Sequence, residues 1–140
     1  CLGGATQITG SLIGGNSFDG LRRVSGTMIN TIVAGQFGSG ASEGTLAMTN
    51  CTVVNNSSSG YSSASSTSSM VNTIFAENNG VGVAEMADAG QDAELSHCLF
   101  HANSSGDYND EGTVYTGAGA INAMKVIGTA KSRPAVASRR

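Results

Sequence analysis

Tryptophan is absent, proline occurs once, and four phenylalanines and three tyrosines are the only aromatic residues in the 140-residue chain. So few bulky side chains leave little to fill the interior of a helical bundle, and the β-branched residues clustered in short apolar runs point to strands instead. No apolar run approaches the ~20 residues of a membrane-spanning helix. Basic residues are also scarce where they would matter. Residues 1–124 hold ten acidic groups against Arg22 and Arg23, while Lys125, Lys131, Arg133, Arg139 and Arg140 crowd the last sixteen positions. An acidic body lacks the clustered cations that a nucleic-acid backbone requires, so no nucleic-acid partner is expected. The basic tail (125–140) reads as a solvated, disordered terminus. No secretory signal peptide is visible and the chain opens at Cys1, which suits a processed or lipidated chain, or a fragment of a longer one.

Small residues are abundant, with twenty glycines among them, and their arrangement is periodic. Five segments align: "ITGSLIGGN" at 8–16, "MINTIVAGQ" at 28–36, "MTNCTVVNN" at 48–56, "MVNTIFAEN" at 70–78 and "LSHCLFHAN" at 95–103. Spacings of 20, 20, 22 and 25 residues are solenoid periods, in which each unit is too short to bury its own apolar face. The first column (Ile8, Met28, Met48, Met70, Leu95) and the sixth (Ile13, Val33, Val53, Phe75, Phe100) are uniformly apolar and form the expected core. The fourth, Ser11, Thr31, Cys51, Thr73 and Cys98, is small and shares the inward strand face with the sixth. The third column (Gly10, Asn30, Asn50, Asn72, His97) holds residue types that accept a left-handed backbone, which predicts a bend. The ninth (Asn16, Gln36, Asn56, Asn78, Asn103) is entirely amide and predicts a hydrogen-bonded ladder. The pattern predicts an all-β, right-handed parallel β-helix of about five coils over residues 1–124. Each coil would contain two strands with a bend between them, then a variable loop and a closing strand. At ~4.8 Å per rung the stack would be about 24 Å long.

The repeat resembles the pectin-lyase-like superfamily, in particular the β-helix repeats of large bacterial secreted and surface proteins. "SHCLFHANSSGDY…GTVYTGAGAINA" is similar to the closing coil of their choice-of-anchor subgroup. The resemblance covers residues 5–124, although "GAGAINAMKVIG" lacks the Pro–Phe continuation of that subgroup. It implies an extracellular or cell-surface location and polysaccharide as the expected partner class. Members of the superfamily include lyases that use calcium with Arg or Lys, and hydrolases that use grouped Asp residues.

Individual residues offer few sites. Cys51 and Cys98 stand two rungs apart, roughly 9–10 Å, beyond the ~7 Å limit for disulfide-bonded α-carbons, so they read as buried thiols. His97 and His101 have no evident third metal ligand. In "DYNDEG", Asp107, Asn109 and Glu111 alternate before Gly112 like the start of a calcium loop, but Ala118 stands where the distal carboxylate belongs. A polar turn is the favoured reading there, with calcium the one candidate cofactor. Asp88, Asp92 and Glu94 read as solvated surface. The sequons at Asn50, Asn55, Asn56 and Asn103 follow from composition, and no Thr-x-Thr ladder repeats on every coil as a flat ice-binding face would need. The outward positions Leu12/Gly14, Ile32/Ala34, Thr52/Val54, Ile74/Ala76 and Leu99/His101 carry no carboxylate, which favours a surface packed under another element over a catalytic cleft. A structural or adhesive scaffold is therefore expected. Self-association, or contact with adjoining domains, through open solenoid ends is a further expectation, and the competing reading is a fragment of a polysaccharide lyase or glycoside hydrolase whose active residues lie elsewhere.

Overall fold

Left-handed backbone recurs at fixed intervals along this chain and turns it into a coil. The computed structural model describes residues 6–63, 67–85 and 93–117 and the backbone of 137–138. Gly10, Asn30, Asn50, Asn72 and His97 all lie at φ between 49° and 57°. A second series at Gly15, Gly35, Asn55, Glu77 and Ala102 (φ 52° to 68°) makes another corner, and Arg23 and Glu43 (both φ 55°) make a third in the first two coils. Glycine and asparagine enter this region cheaply, whereas Ala102 and Glu77 pay a steric cost between Cβ and backbone.

Three parallel sheets result, and no helix occurs among the described residues. One sheet stacks β1 (Thr6–Thr9), β4 (Gly26–Ile29), β7 (Leu46–Thr49), β10 (Ser69–Val71) and β13 (Glu94–Ser96). The second stacks β2 (Leu12–Gly14), β5 (Ile32–Ala34), β8 (Thr52–Val54), β11 (Ile74–Ala76), β14 (Leu99–His101) and β17 (Ala137–Ser138). The third stacks β3 (Leu21–Arg22), β6 (Ala41–Ser42), β9 (Tyr61–Ser63), β12 (Val83–Glu85) and β15 (Tyr108–Asp110), and ends on an antiparallel strand, β16 (Thr113–Tyr115). The chain is thus a parallel β-solenoid of about four turns, its five rungs bounding those turns.

Register places the apolar columns one above another. Ile8, Met28, Met48, Met70 and Leu95 pair in succession through the first sheet, as do Ile13, Val33, Val53, Phe75 and Phe100 through the second. Leu21, Ala41, Tyr61, Val83 and Tyr108 form a third interior column. Side chains of the middle coils are almost wholly buried, while Ile8, Ile13 and Leu21 of the first coil are only partly covered. Each fully buried Val, Met or Phe contributes about 1.5–3 kcal/mol of transfer free energy. The Phe75 and Phe100 rings also stack at 5.5 Å between centroids.

The structure corrects the expected order of loop and closing strand. Thirteen positions separate the first-column residue from the third-sheet core residue in every coil, so the turn after the amide has constant length. Successive turns hydrogen-bond to each other, as in Ser57 N to Gln36 O (2.9 Å) and Gly40 N to Ser59 O (3.0 Å). Length variation falls instead between the third-sheet strand of one coil and the first-sheet strand of the next. Gly20, Gly40, Gly60 and Gly82 close the constant turn. A Cβ at Gly60 would lie 2.6 Å from the carbonyl oxygen of Gly82 on the next coil, so the stack admits no side chain there. In the last coil this column holds Asp107, and β16 rather than a further coil follows.

Candidate functional site

The amide column runs through the interior beside the second sheet. Asn16 Nδ2 donates to Gln36 Oε1 (2.8 Å), Asn56 Nδ2 to Asn78 Oδ1 (2.8 Å) and Asn78 Nδ2 to Asn103 Oδ1 (2.9 Å). The backbone N–H groups of Asn16, Gln36, Asn56 and Asn78 donate to the same oxygens of the next coil. Gln36 is one methylene longer, and its Nε2 turns to the carbonyls of Ile13 (2.8 Å) and Ala34 (2.9 Å) instead. Gln36, Asn56 and Asn78 are buried with their side-chain amides hydrogen-bonded inside the stack, so this column holds the coils together.

The small inward column is equally occupied. Ser11, Thr31 and Thr73 hydroxyls each donate to the carbonyl two residues back, across the bend (3.0 Å in each case). Cys51 and Cys98 place their thiols in the same role, towards Thr49 O (3.3 Å) and Ser96 O (3.5 Å), with a second carbonyl one coil below. Both are free and buried, and burial pushes both thiols above their ordinary pKa. They are protonated hydrogen-bond donors, the opposite of an activated nucleophile.

In "DYNDEG" the geometry builds the polar turn that the sequence favours. β15 and β16 form a hairpin with Glu111-Gly112 as its two-residue loop, both at positive φ (47° and 94°) as a type I′ turn requires. Asp107 is buried, where its carboxylate accepts from Gly117 N (2.8 Å) and Asn103 Nδ2 (3.4 Å). Asn109 Oδ1 accepts from Gly112 N (2.9 Å), and Glu111 sits at the exposed tip. These oxygens serve the turn rather than a shared centre. Among the described residues no group of three or more His, Cys, Asp or Glu is arranged to hold a metal ion. His97 is the left-handed bend residue, hydrogen-bonded to Ser96 Oγ (2.8 Å), and His101 lies half-buried on the outward face of β14. Cys1, Asp88, Asp92 and Ala118 lie outside the described residues, as does the 125–140 tail apart from the backbone of β17.

Charge gathers at one further place. Arg22 and Arg23 both grip Glu43 on the next coil, at 2.7 Å each. Hydrogen bonds from the two guanidinium groups hold the Glu43 carboxyl below its usual range, and Glu43 in turn raises Arg22. Asp19, on the same coil as the arginines, accepts instead from Ser39 N (2.8 Å) and Ser42 Oγ (2.5 Å). A buried carboxylate, Glu85, accepts from Tyr108 OH (2.6 Å) and from the backbone N–H of Ala93. Glu43 was recoverable from the repeat, since it stands twenty residues beyond Arg23 in the same column. Glu85 and Tyr108 belong to the third sheet, which the aligned segments do not include.

What remains is an outward face. Leu12, Ile32, Thr52, Ile74 and Leu99 align on the second sheet, flanked by Gly14, Ala34, Val54, Ala76 and His101. Leu12 is 73% exposed, Ile32 46% and Ile74 37%. Nearby turns present Phe18 and Phe37, both nearly fully exposed. The described part of the chain therefore offers a flat, small-residue and apolar strip beside a rigid ladder, with acidic and hydroxyl-bearing corners around it. Compared with protein families, curated proteins and solved structures, the chain finds no match.

Proposed function

We propose that this chain is a structural and adhesive β-solenoid of an extracellular or cell-surface protein, a rigid spacer that presents its outward strip and corner loops to polysaccharide. The amide column, bonded to the next coil at every step through backbone N–H groups and at three of the four steps through side-chain amides as well, is the observation that supports this reading. A buried, fully bonded ladder fixes one coil against the next and spends polar side chains on stiffness rather than on chemistry. The resemblance of the repeat unit to pectin-lyase-like repeats of the choice-of-anchor type supports the location and the choice of polysaccharide. The acidic balance of residues 6–117 favours neutral or basic glycans, or acidic ones bridged by calcium.

A glycan array probed with the purified chain, with and without calcium, tests the reading. Binding without turnover is the expected result. Release of unsaturated sugar ends, seen as new ultraviolet absorbance, would make the chain a lyase and overturn it.

A further inference from the structure

The turn after the amide of the fourth coil carries a chemically sensitive pair. Asn79-Gly80 is the one Asn-Gly step in the sequence, and every other asparagine is followed by a residue with a Cβ. Glycine leaves the next main-chain nitrogen unshielded towards the asparagine side chain. Asn79 is exposed, and its side-chain amide makes no hydrogen bond among the described residues. The side-chain carbonyl carbon is therefore open to attack. The nitrogen that would attack it is not free. Gly80 N donates to Ser58 O (3.0 Å) on the third coil, and Gly80 O accepts from Ser105 N (3.1 Å) on the fifth. Asn79 N donates to Asn56 O (2.9 Å), and Asn79 O accepts from Ser105 Oγ (3.4 Å). A Cβ on Gly80 would lie 2.8 Å from Ser59 N, so the turn of the third coil packs directly against this glycine. The pair is pinned from both sides.

We infer that Asn79 is a deamidation site gated by separation of the coils. While the stack is closed, the Gly80 N–H is engaged with Ser58 and held in one direction. When the turn opens, that nitrogen gives its proton to hydroxide and attacks Asn79 Cγ. The Cγ–Nδ2 bond breaks, ammonia leaves, and a succinimide ring closes over the two residues. Water then adds to either ring carbonyl and yields aspartate or isoaspartate, so the balance is one water taken up and one ammonia released. The fold treats the two products differently. Aspartate only places a carboxylate at an exposed position. Isoaspartate adds a methylene to the main chain inside a turn whose length is the same in every coil. Register with the third and fifth coils is then lost, and a passing separation of coils becomes permanent.

Incubating the whole chain in mildly alkaline buffer, with and without denaturing urea, tests this. Peptide mass spectrometry follows the replacement of the Asn79 amide by a carboxyl, and hydrogen exchange follows the Gly80 amide in the same buffer. In urea, Asn79 should convert ahead of every other asparagine. In the folded chain it should convert about tenfold more slowly or slower still, because the open turn is a minor population. Exchange at Gly80 should be slowed by a similar factor. After removal of urea, isoaspartate-bearing chains should melt below the unmodified chain, whereas Asn79→Asp should melt with it. Equal conversion in buffer and urea, another asparagine leading in urea, a protected Asn79 beside a freely exchanging Gly80 amide, or isoaspartate chains as stable as Asn79→Asp would each overturn the inference. The rate comparison is made on the unaltered chain, so it stays decisive if the variant fails to fold.

Discussion

At the scale of single residues, the bend fixes what its neighbours must be. A left-handed residue at the third position turns the next side chain inward, beside the carbonyl two residues back. Any small donor satisfies that carbonyl, and so serine, threonine and cysteine interchange down one column. Replacing both buried cysteines by threonine is therefore expected to change stability by less than about 1 kcal/mol. Chemical denaturation checks this, and the Cys51 and Cys98 thiols should resist a disulfide reagent until the chain unfolds. The variant should also lose a pH effect. Burial raises the thiol pKa in the fold, so above the ordinary thiol value the unfolded chain loses protons that the native one keeps. Stability is then intact below that value and declines as pH rises beyond it. The thermal midpoint of the wild-type chain should fall more steeply in that alkaline window than that of Cys51→Thr/Cys98→Thr. Ala102 is the converse case, an alanine at φ 52° where the first three coils use glycine or asparagine and the fourth uses Glu77. Ala102→Gly relieves a conformation that costs an L-residue about 1–2 kcal/mol, partly offset by the greater entropy of the unfolded glycine. A rise in denaturation midpoint equivalent to about 0.5–1 kcal/mol is expected.

Elements follow from columns, and columns differ in how plainly a sequence displays them. The first two sheets were legible because Met28, Asn30, Val33 and their equivalents recur with unchanged spacing and each carries a clear physical demand. The third was not placed correctly. Its strands are two or three residues long, and its one inward column runs from alanine to tyrosine, so no residue type marks it. Constant spacing from the first column was the signal that identifies it. The second bend was hidden in the same way, because Glu77 and Ala102 are not residues that advertise a left-handed backbone. In "DYNDEG" the polar turn was the favoured reading, and Glu-Gly between two β-forming stretches already had the form of a hairpin loop. The ladder, by contrast, was readable and is open to test by position. Asn78→Ala would orphan the side-chain amide and backbone N–H of Asn56 in the interior, and would take one donor from the carbonyl of Val53 and one from Asn103 Oδ1, which keeps the backbone N–H of residue 78. At roughly 1–3 kcal/mol for each buried group left unsatisfied, a loss of about 3 kcal/mol or more is expected. Asn16→Ala, at the exposed end of the same ladder, should cost under about 1 kcal/mol. Equal losses at the two positions in urea titrations would show that the ladder does not act as a buried, cooperative element.

For the molecule as a whole, stability is a property of neighbours in the stack. Every coil touches only those above and below it, so an interior coil gains two interfaces and a terminal coil one. Burial records this directly. Met48, Val53 and Tyr61 of the third coil are 0–1% exposed, while Ile8, Ile13 and Leu21 of the first remain half open. At the other end the loss is smaller, because Phe100 and Tyr108 of the last coil are 0–2% exposed under its cap. Unfolding should therefore begin at the first coil and proceed in one direction. Native-state hydrogen exchange on dilute, monomeric protein measures this coil by coil. Inward-donating amides of the first coil (Gly10, Gly15, Gly20) should open with the lowest free energy, and their counterparts in the third (Asn50, Asn55, Gly60) with the highest. Those of the last coil, such as Leu99 and Ser104, should fall between the two. Protection that is symmetric about the middle coil would mean the hairpin contributes nothing as a cap, and that the difference between the two ends is one of shape rather than of energy.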